Sequence, residues 1–265
     1  MKDFGFIGTG NMGGALATAV SKSTKSVLLA DHFAEKAAEL ASKLGVQSAD
    51  NLTIARECRY IFLGVKPQMM ADMLSSVADI LNQRDDVVLV TMAAGLSIET
   101  IRKMAGGNFR IIRIMPNTPV LVGEGEVLYS PSENVSGNEL EFFIENMKYA
   151  GQLTKIDESL MDAGCSVSGC GPAFVYMFIK GLAQGGVDCG IDKETSLSLA
   201  AQTVIGAAKL LMSGDDNPDT LIKNVCSPGG STIEGVKALE QSGLETIVEN
   251  AVKAAYKRNI ELGKA

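Results

Sequence analysis

Residues 5–17 read GFIGTGNMGGALA. An apolar run ends at Ile7, and Gly8, Gly10 and Gly13 then fall in G-x-G-x-x-G spacing ahead of an alanine-rich helical stretch. Glycine supplies 28 of the 265 residues, so the spacing alone is weak; its position in the first strand-turn-helix of the chain makes it a dinucleotide fingerprint. In that setting Gly8 allows the tight turn, Gly10 lets the backbone approach a pyrophosphate, and Gly13 lets helix and strand pack closely. The helix N-terminus attracts the phosphates through its unpaired amides and dipole. A plain βα turn without a ligand is the alternative.

Working outward, Asp31 ends the next apolar run. An acid there accepts hydrogen bonds from the adenosine ribose of NAD, whereas the 2′-phosphate of NADP meets a like charge. His32 and Lys36 stand near enough in sequence to offset that charge, and Asp31 also suits the start of the helical stretch HFAEKAAEL. The single histidine, His32, reads as an adenosine-side or surface residue rather than a catalyst. GVKPQ (64–68) and MAAGLS (92–97) follow two further apolar runs, at the strand ends where open α/β sheets bind ligands. Pro67 suits a first helical turn and Gly95 a close approach. Lys66 reads equally as a solvated lysine or as a phosphate or ribose contact. MPNTP (115–119) forms a rigid wall with Asn117 as its polar handle.

FGFIG (4–8), VLLAD (27–31), YIFLGV (60–65), VVLVTM (87–92) and IIRIMP (111–116) are near-continuous apolar runs of strand length, suited to a parallel sheet buried on both faces. NMGGALATAVSK, AEKAAELASKLG, PQMMADMLSSVADIL and SIETIRKMAG alternate with them at helical spacing. The expected fold is a Rossmann-type doubly wound α/β sheet over residues 1–157. After Ile156 the strand signals stop. Apolar residues at 197, 200, 201, 204, 205, 208, 211 and 212 trace one helix face, and 244–262 reads the same way. Residues 158–265 are therefore expected to form a smaller all-α domain, short for a self-sufficient core, that packs on another copy of itself.

The formal charge of −7 argues against nucleic acid or an anionic membrane as partner and favours a small molecule. No leader-like segment is visible and no apolar run approaches the roughly 18 residues that span a bilayer, so a cytoplasmic protein is expected. Cys58, Cys165, Cys170, Cys189 and Cys226 include no C-x-x-C pair, and no metal site is expected.

A second glycine-rich loop, NVCSPGGSTIEG (224–235), lies among helical stretches. Ser231 and Glu234 fit an S-x-x-E capping box, which explains a helix start but neither the paired glycines nor the hydroxyl of Thr232. The favoured reading is an anion site, its guest a substrate carboxylate held by the amides around Gly229 and Gly230 and the hydroxyls of Ser227, Ser231 and Thr232. VSGCGPAFVYMF (167–178) reads as a kink between helices, core packing, a pocket wall, or these together.

GFIGTGNMG, VKP, AAG, RIMPNTP, VSGCGPAFVY and CSPGGSTIEGV resemble, in order and spacing, the pyrroline-5-carboxylate reductase family over essentially the whole chain. The resemblance implies a Rossmann domain, a helical domain interlocking into homodimers, and often a decamer of five dimers. It implies NADP or NAD as the cofactor, reduced, with contacts at Ile7, Gly8, Thr9, Gly10, Asn11, Met12, Asn51, Val65, Lys66, Pro67, Ala93, Ala94 and Gly95; Gly13, Asp31 and His32 join these from the reading above. Ser227, Gly229, Gly230, Ser231 and Thr232 match its substrate loop. Two positions depart from the commonest pattern: Cys170 stands where serine is frequent, and Asp31 where many members carry a small or basic group that accepts NADPH.

The implied reaction reduces 1-pyrroline-5-carboxylate to L-proline, the last step of proline biosynthesis. A protonated imine accepts hydride at C5 without a metal or a catalytic acid, so the expected catalytic group is only Thr232, hydrogen-bonding the ring nitrogen, with orientation contributing most. Two other readings compete. A β-hydroxyacid dehydrogenase would use a helix lysine such as Lys180, and a non-catalytic dinucleotide sensor would leave the second loop idle.

Overall fold

The computed structural model describes residues 1–263. They form two compact units, Met1–Cys170 with the chain from Ala255 onward, and Gly171–Ala254. The first unit is built on an eight-stranded sheet in the order β3-β2-β1-β4-β5-β6-β7-β8. Its strands are β1 (Lys2–Ile7), β2 (Val27–Ala30), β3 (Gln47–Ser48), β4 (Cys58–Leu63), β5 (Val88–Thr91), β6 (Arg110–Pro116), β7 (Gly125–Pro131) and β8 (Gly151–Lys155). The first six are parallel; β7 runs antiparallel to β6, and β8 parallel to β7.

Alternate residues of the central strands face opposite layers, as the pleat requires. On one side Phe4, Phe6, Leu29, Phe62, Val90 and Ile114 pack with α1 (Asn11–Ser23) and α2 (Ala34–Leu44). On the other, Ile7, Leu28, Ile61, Leu63, Leu89 and Ile111 pack with α3 (Asn51–Glu57), α4 (Met70–Leu81) and α5 (Ile98–Ala105). This is the expected doubly wound arrangement. The first layer also takes Phe143 and Met147 of α6 (Gly137–Met147), and the Tyr60 hydroxyl donates to the Glu139 carbonyl at 2.8 Å.

The sheet unit extends past the boundary expected at residue 157. Met161, in α7 (Met161–Gly164), is buried with Met115 and Leu128 under the sheet, and a π-helical turn, Cys165–Gly169, continues from it. Asn259 Nδ2 donates to the Asp162 carbonyl at 3.2 Å and to Ser166 Oγ at 3.1 Å, which holds the end of the chain to this unit.

The second unit is wholly helical: α8 (Gly171–Asp188), α9 (Lys193–Ser213), α10 (Pro218–Val225), α11 (Ser231–Gln241) and the first part of α12 (Leu244–Leu262). Ser196 Oγ donates to the Ala183 carbonyl at 2.6 Å where α8 and α9 pack. Of its residues only Ala183, Ser196 and Ala200 are buried in a single chain. Among the described residues α9 is long and apolar enough to cross a bilayer by length and composition, although polar residues interrupt its apolar runs.

Candidate dinucleotide site and substrate loop

The glycine turn has the shape its spacing predicts. Gly8 lies at φ +98°, and a Cβ on Gly13 would come 2.1 Å from the Gly8 carbonyl oxygen. Backbone cannot move aside as a flexible side chain can, so the β1–α1 approach requires glycine there. Gly64, after β4, is equally close, at 2.4 Å from the same oxygen, and the sequence reading assigned it no role; a glycine ending the strand beside β1 was the available signal. A Cβ on Gly10 would meet nothing within 4 Å, so space lies open above the turn. Gly10 is the N-cap of α1, and no side chain caps that helix. Open space, exposed Asn11 and uncapped amides together fit a pyrophosphate.

Asp31 is tied to this turn. Its Oδ2 accepts from the Thr9 amide at 2.7 Å and the Thr9 hydroxyl at 3.0 Å, and its Oδ1 accepts from the Phe33 amide at 3.0 Å. Burial acts to raise the Asp31 pKa, but the hydrogen bonds from Phe33 and Thr9, with the Lys36 charge, outweigh it and hold the carboxyl below its ordinary 3.8. The side chain of Asp31 thus braces the loop, a role the sequence reading did not foresee.

The other expected cofactor positions gather at the same edge of the sheet. Asn51 opens α3, capped by Asp50, whose Oδ1 accepts from the Thr53 amide at 2.7 Å. Val65 and Lys66 follow β4, and Pro67 opens a single 3₁₀ turn, Pro67–Met69, in its expected first-turn position. Ala93 and Ala94 follow β5. Ile7 and Ala93 are buried in the core, so only their backbone faces this edge; His32, Lys66 and Ala94 are exposed. A Cβ on Gly95 would lie 3.1 Å from Gly263 Cα, so the close neighbour at Gly95 is the chain's own C-terminal turn.

Asn117 is more than a handle on a wall. Its Nδ2 donates to the Ser168 carbonyl at 3.0 Å and its Oδ1 accepts from the Glu126 amide at 2.9 Å, joining MPNTP to the π turn and to β7. The VSGCGP stretch runs from that π turn into α8, the turn being marked by the Cys170 amide donating to the Cys165 carbonyl at 3.0 Å. Burial pushes the Cys165 thiol up, and the buried Cys58 up to about 12, so neither carries a reactive thiolate.

The second loop, in the helical unit, corrects one reading. Ser231 is not an N-cap: Gly230 is, no side chain caps α11, and Glu234 pairs with Lys237 at 2.8 Å. The S-x-x-E match is therefore not a capping box. Ser227 to Gly230 form a turn in which the Gly230 amide donates to the Ser227 carbonyl at 3.0 Å and Gly229 takes φ +73°. Proline second and a positive-φ glycine third are the signature of a type II turn. A Cβ on Gly230 would meet Ser227 Oγ at 2.5 Å, which a serine rotamer can relieve, and the Ser227 carbonyl oxygen at 3.1 Å, a tight backbone contact. Ser227, Gly229, Ser231 and Thr232 are exposed around the uncapped helix start.

A doubly wound sheet with this glycine turn, followed by a helical unit, defines a Rossmann-type dinucleotide-dependent oxidoreductase. Residues 3–95 match a family model described as NADP oxidoreductase coenzyme F420-dependent, and residues 158–262 one described as pyrroline-5-carboxylate reductase dimerisation. The chain belongs to the pyrroline-5-carboxylate reductase family. It is 36% identical to the Methanosarcina acetivorans pyrroline-5-carboxylate reductase over 98% of this chain and 97% of that one, and 32% identical to the Escherichia coli enzyme over 100% and 99%. The crystal structure of Plasmodium falciparum pyrroline carboxylate reductase with NADP bound superposes with a TM-score of 0.87 at 31% identity, covering 99% and 98% of the two chains. The Coxiella burnetii pyrroline-5-carboxylate reductase gives 0.92 at 28% identity, covering 98% of each. Lys180, which the hydroxyacid dehydrogenase reading needed, is exposed on α8.

Proposed function

We propose that the chain reduces 1-pyrroline-5-carboxylate to L-proline with NADPH or NADH, the last step of proline biosynthesis, in the cytoplasm. The observation that carries this reading is the start of α11, where a type II turn presents exposed hydroxyls beside a helix N-terminus that no side chain caps. Such a terminus favours a carboxylate by about 0.3–1 kcal/mol when exposed and up to about 2 when partly buried.

The residues then divide the work. Backbone amides around Gly229 to Thr232, with the hydroxyls of Ser227 and Ser231, hold the substrate carboxylate. The Thr232 hydroxyl hydrogen-bonds the ring nitrogen and relays its proton. Residues Ile7 to Gly13, Asp31, His32, Asn51, Val65 to Pro67 and Ala93 to Gly95 hold the dinucleotide. When bound, the reduced nicotinamide supplies a hydride to C5 of the ring. The imine nitrogen takes up one proton, so that C=N becomes CH–NH. Rate comes from orientation of the two bound partners, and neither a metal nor a carboxyl acid is needed.

Residues 158–265 act as the substrate-binding and dimerisation domain, and homodimers assemble into a decamer. The apolar face of α9 is the dimer surface rather than a membrane span, because α9 also carries Gln202, Thr203 and Lys209 in its middle and last turns.

The deciding experiment follows loss of the reduced-nicotinamide absorbance with purified protein, 1-pyrroline-5-carboxylate, and NADH or NADPH. Substrate-dependent oxidation supports the reading. Tight dinucleotide binding without turnover would instead favour the sensor reading.

A further inference from the structure

We infer that Asp31 makes this chain select NADH over NADPH. The inference rests on the assignment of the glycine turn to the dinucleotide and adds which dinucleotide it takes. In a Rossmann unit the residue closing the second strand meets the adenosine ribose, where NADH carries a 2′-hydroxyl and NADPH a phosphate. Asp31 holds that place, directly after β2.

Its carboxylate is fixed there in both position and charge. Three donors, the Thr9 amide, the Thr9 hydroxyl and the Phe33 amide, hold it at 2.7 to 3.0 Å. Those contacts favour the anion, so it cannot escape a neighbouring phosphate by protonating near neutral pH. An ionised carboxylate has about four lone-pair sites. Oδ2 uses two and Oδ1 one, which leaves Oδ1 with a site for a ribose hydroxyl. A phosphate offers that oxygen no proton and brings a like charge.

Of the two nearby lysines one has a carboxylate partner, and the charge of the other already acts on Asp31. Lys36 Nζ lies over the Phe33 ring, 4.9 Å from its centroid, and Lys43 pairs with Glu39 at 2.7 Å. All three charged groups line the hollow beside Thr9 and Gly10, so Glu39 offsets one of the two lysines. Residues 32 and 33, His32 and Phe33, supply no arginine or lysine where a 2′-phosphate would need one. With 60% of its surface exposed, Phe33 instead offers a ring face to stack against the adenine.

The test is equilibrium titration of the purified protein with NADH and with NADPH, read by nicotinamide fluorescence and independent of turnover. NADH is expected to bind at least roughly tenfold more tightly, the scale of a like-charge contact near a protein surface. D31N and D31S should shrink that ratio severalfold by strengthening NADPH binding, and K36A should leave NADH the tighter ligand. Equal or tighter NADPH binding by the wild type overturns the inference without any variant, as do D31N and D31S variants that bind both dinucleotides but keep the wild-type ratio. Failure of both dinucleotides to bind removes the inference together with the dinucleotide assignment. NADH preference without reduction of 1-pyrroline-5-carboxylate supports the inference while removing the reductase reading.

Discussion

The Asn117 side-chain amide donates to the carbonyl of Ser168 at 3.0 Å, 51 residues further along the chain. One buried side chain thus fixes the π turn against the end of β6, and through its Oδ1 also fixes the start of β7 at Glu126. N117A strands both partners, which are half-buried, so the loss should lie near the low end of the roughly 1–3 kcal/mol that an unpaired buried polar group costs. Urea unfolding at fixed protein concentration should show that loss, with faster amide exchange over residues 165–170. Wild-type stability in N117A would mean that water replaces the side chain.

Gly10 and Gly13 should fail in different ways when changed to alanine. At Gly13 the new Cβ meets the Gly8 carbonyl oxygen at 2.1 Å, so G13A should lower the melting temperature and weaken dinucleotide binding together. At Gly10 the Cβ enters open space, so G10A should fold with wild-type stability and lose binding alone, because the methyl occupies the room left for the pyrophosphate. Thermal unfolding with a parallel NADH titration separates the two. Undiminished affinity in G10A would remove the pyrophosphate from that space.

The S-x-x-E pattern has opposite outcomes at 136–139 and at 231–234. At 136–139 it is a true capping box, the Ser136 side chain accepting from Glu139 N while Glu139 Oε2 accepts from Ser136 N at 2.9 Å. At 231–234 the preceding turn delivers Gly230 into the cap position, and Ser231 falls one residue inside the helix. S136A should therefore cost about 1 kcal/mol or more, and S231A only a few tenths, judged by denaturant midpoints. T232A should preserve stability and lower kcat, with wild-type kcat and KM together removing Thr232 from the reaction.

Glu139 sets an acid limit on the sheet unit. Burial opposes its ionisation, but hydrogen bonds from Ser136, the charge of Arg110 at 2.7 Å and a hydrogen bond from Arg59 outweigh it and hold its pKa below the ordinary 4.5. A carboxyl depressed in the folded state contributes stability that is complete above its unfolded pKa and is lost as pH falls through the folded value. Thermal stability should therefore decline below about pH 4.5, the ordinary glutamate value, and E139Q should start lower at pH 7 and decline less steeply. Parallel wild-type and E139Q curves would shift the acid limit to other carboxylates.

Legibility in the sequence followed burial. β1, β2, β4, β5 and β6 are covered on both faces and so read as apolar runs, while β3 is a two-residue edge and β8 an edge strand without a fully buried residue, leaving no pattern to find. GEVLYSP of β7 is mostly buried, but it begins on glycine, ends on proline and reverses direction, so the alternation of strand and helix gave no cue for it. The glycine turn was legible because backbone sterics allow few residues there. The bond from Thr9 to Asp31 and the clamp at Asn117 were not, since each joins groups that only the fold brings together. The capping misreading at Ser231 came from a one-residue register that composition cannot resolve.

The helical unit buries almost nothing on its own. Leu197, Leu199, Ile205, Leu210, Leu211 and Met212 of α9 are exposed in a single chain, beside Tyr176, Met177 and Phe178 of α8. Monomeric soluble proteins seldom expose contiguous apolar patches beyond about 300–600 Å². A second copy covers such a surface most simply through a two-fold contact, in which the same residues serve both sides. Sedimentation of the wild type should therefore show a dimer or a multiple of it with no concentration-dependent monomer at micromolar protein. I205E and L211E place charges in that apolar surface and should release monomer or cause aggregation. Because the first unit has its own buried core, soluble monomer should still bind the dinucleotide, and NADH titration of the monomer fraction checks this. A wild-type chain that sediments as a stable monomer, or that floats with liposomes, would take α9 away from the dimer.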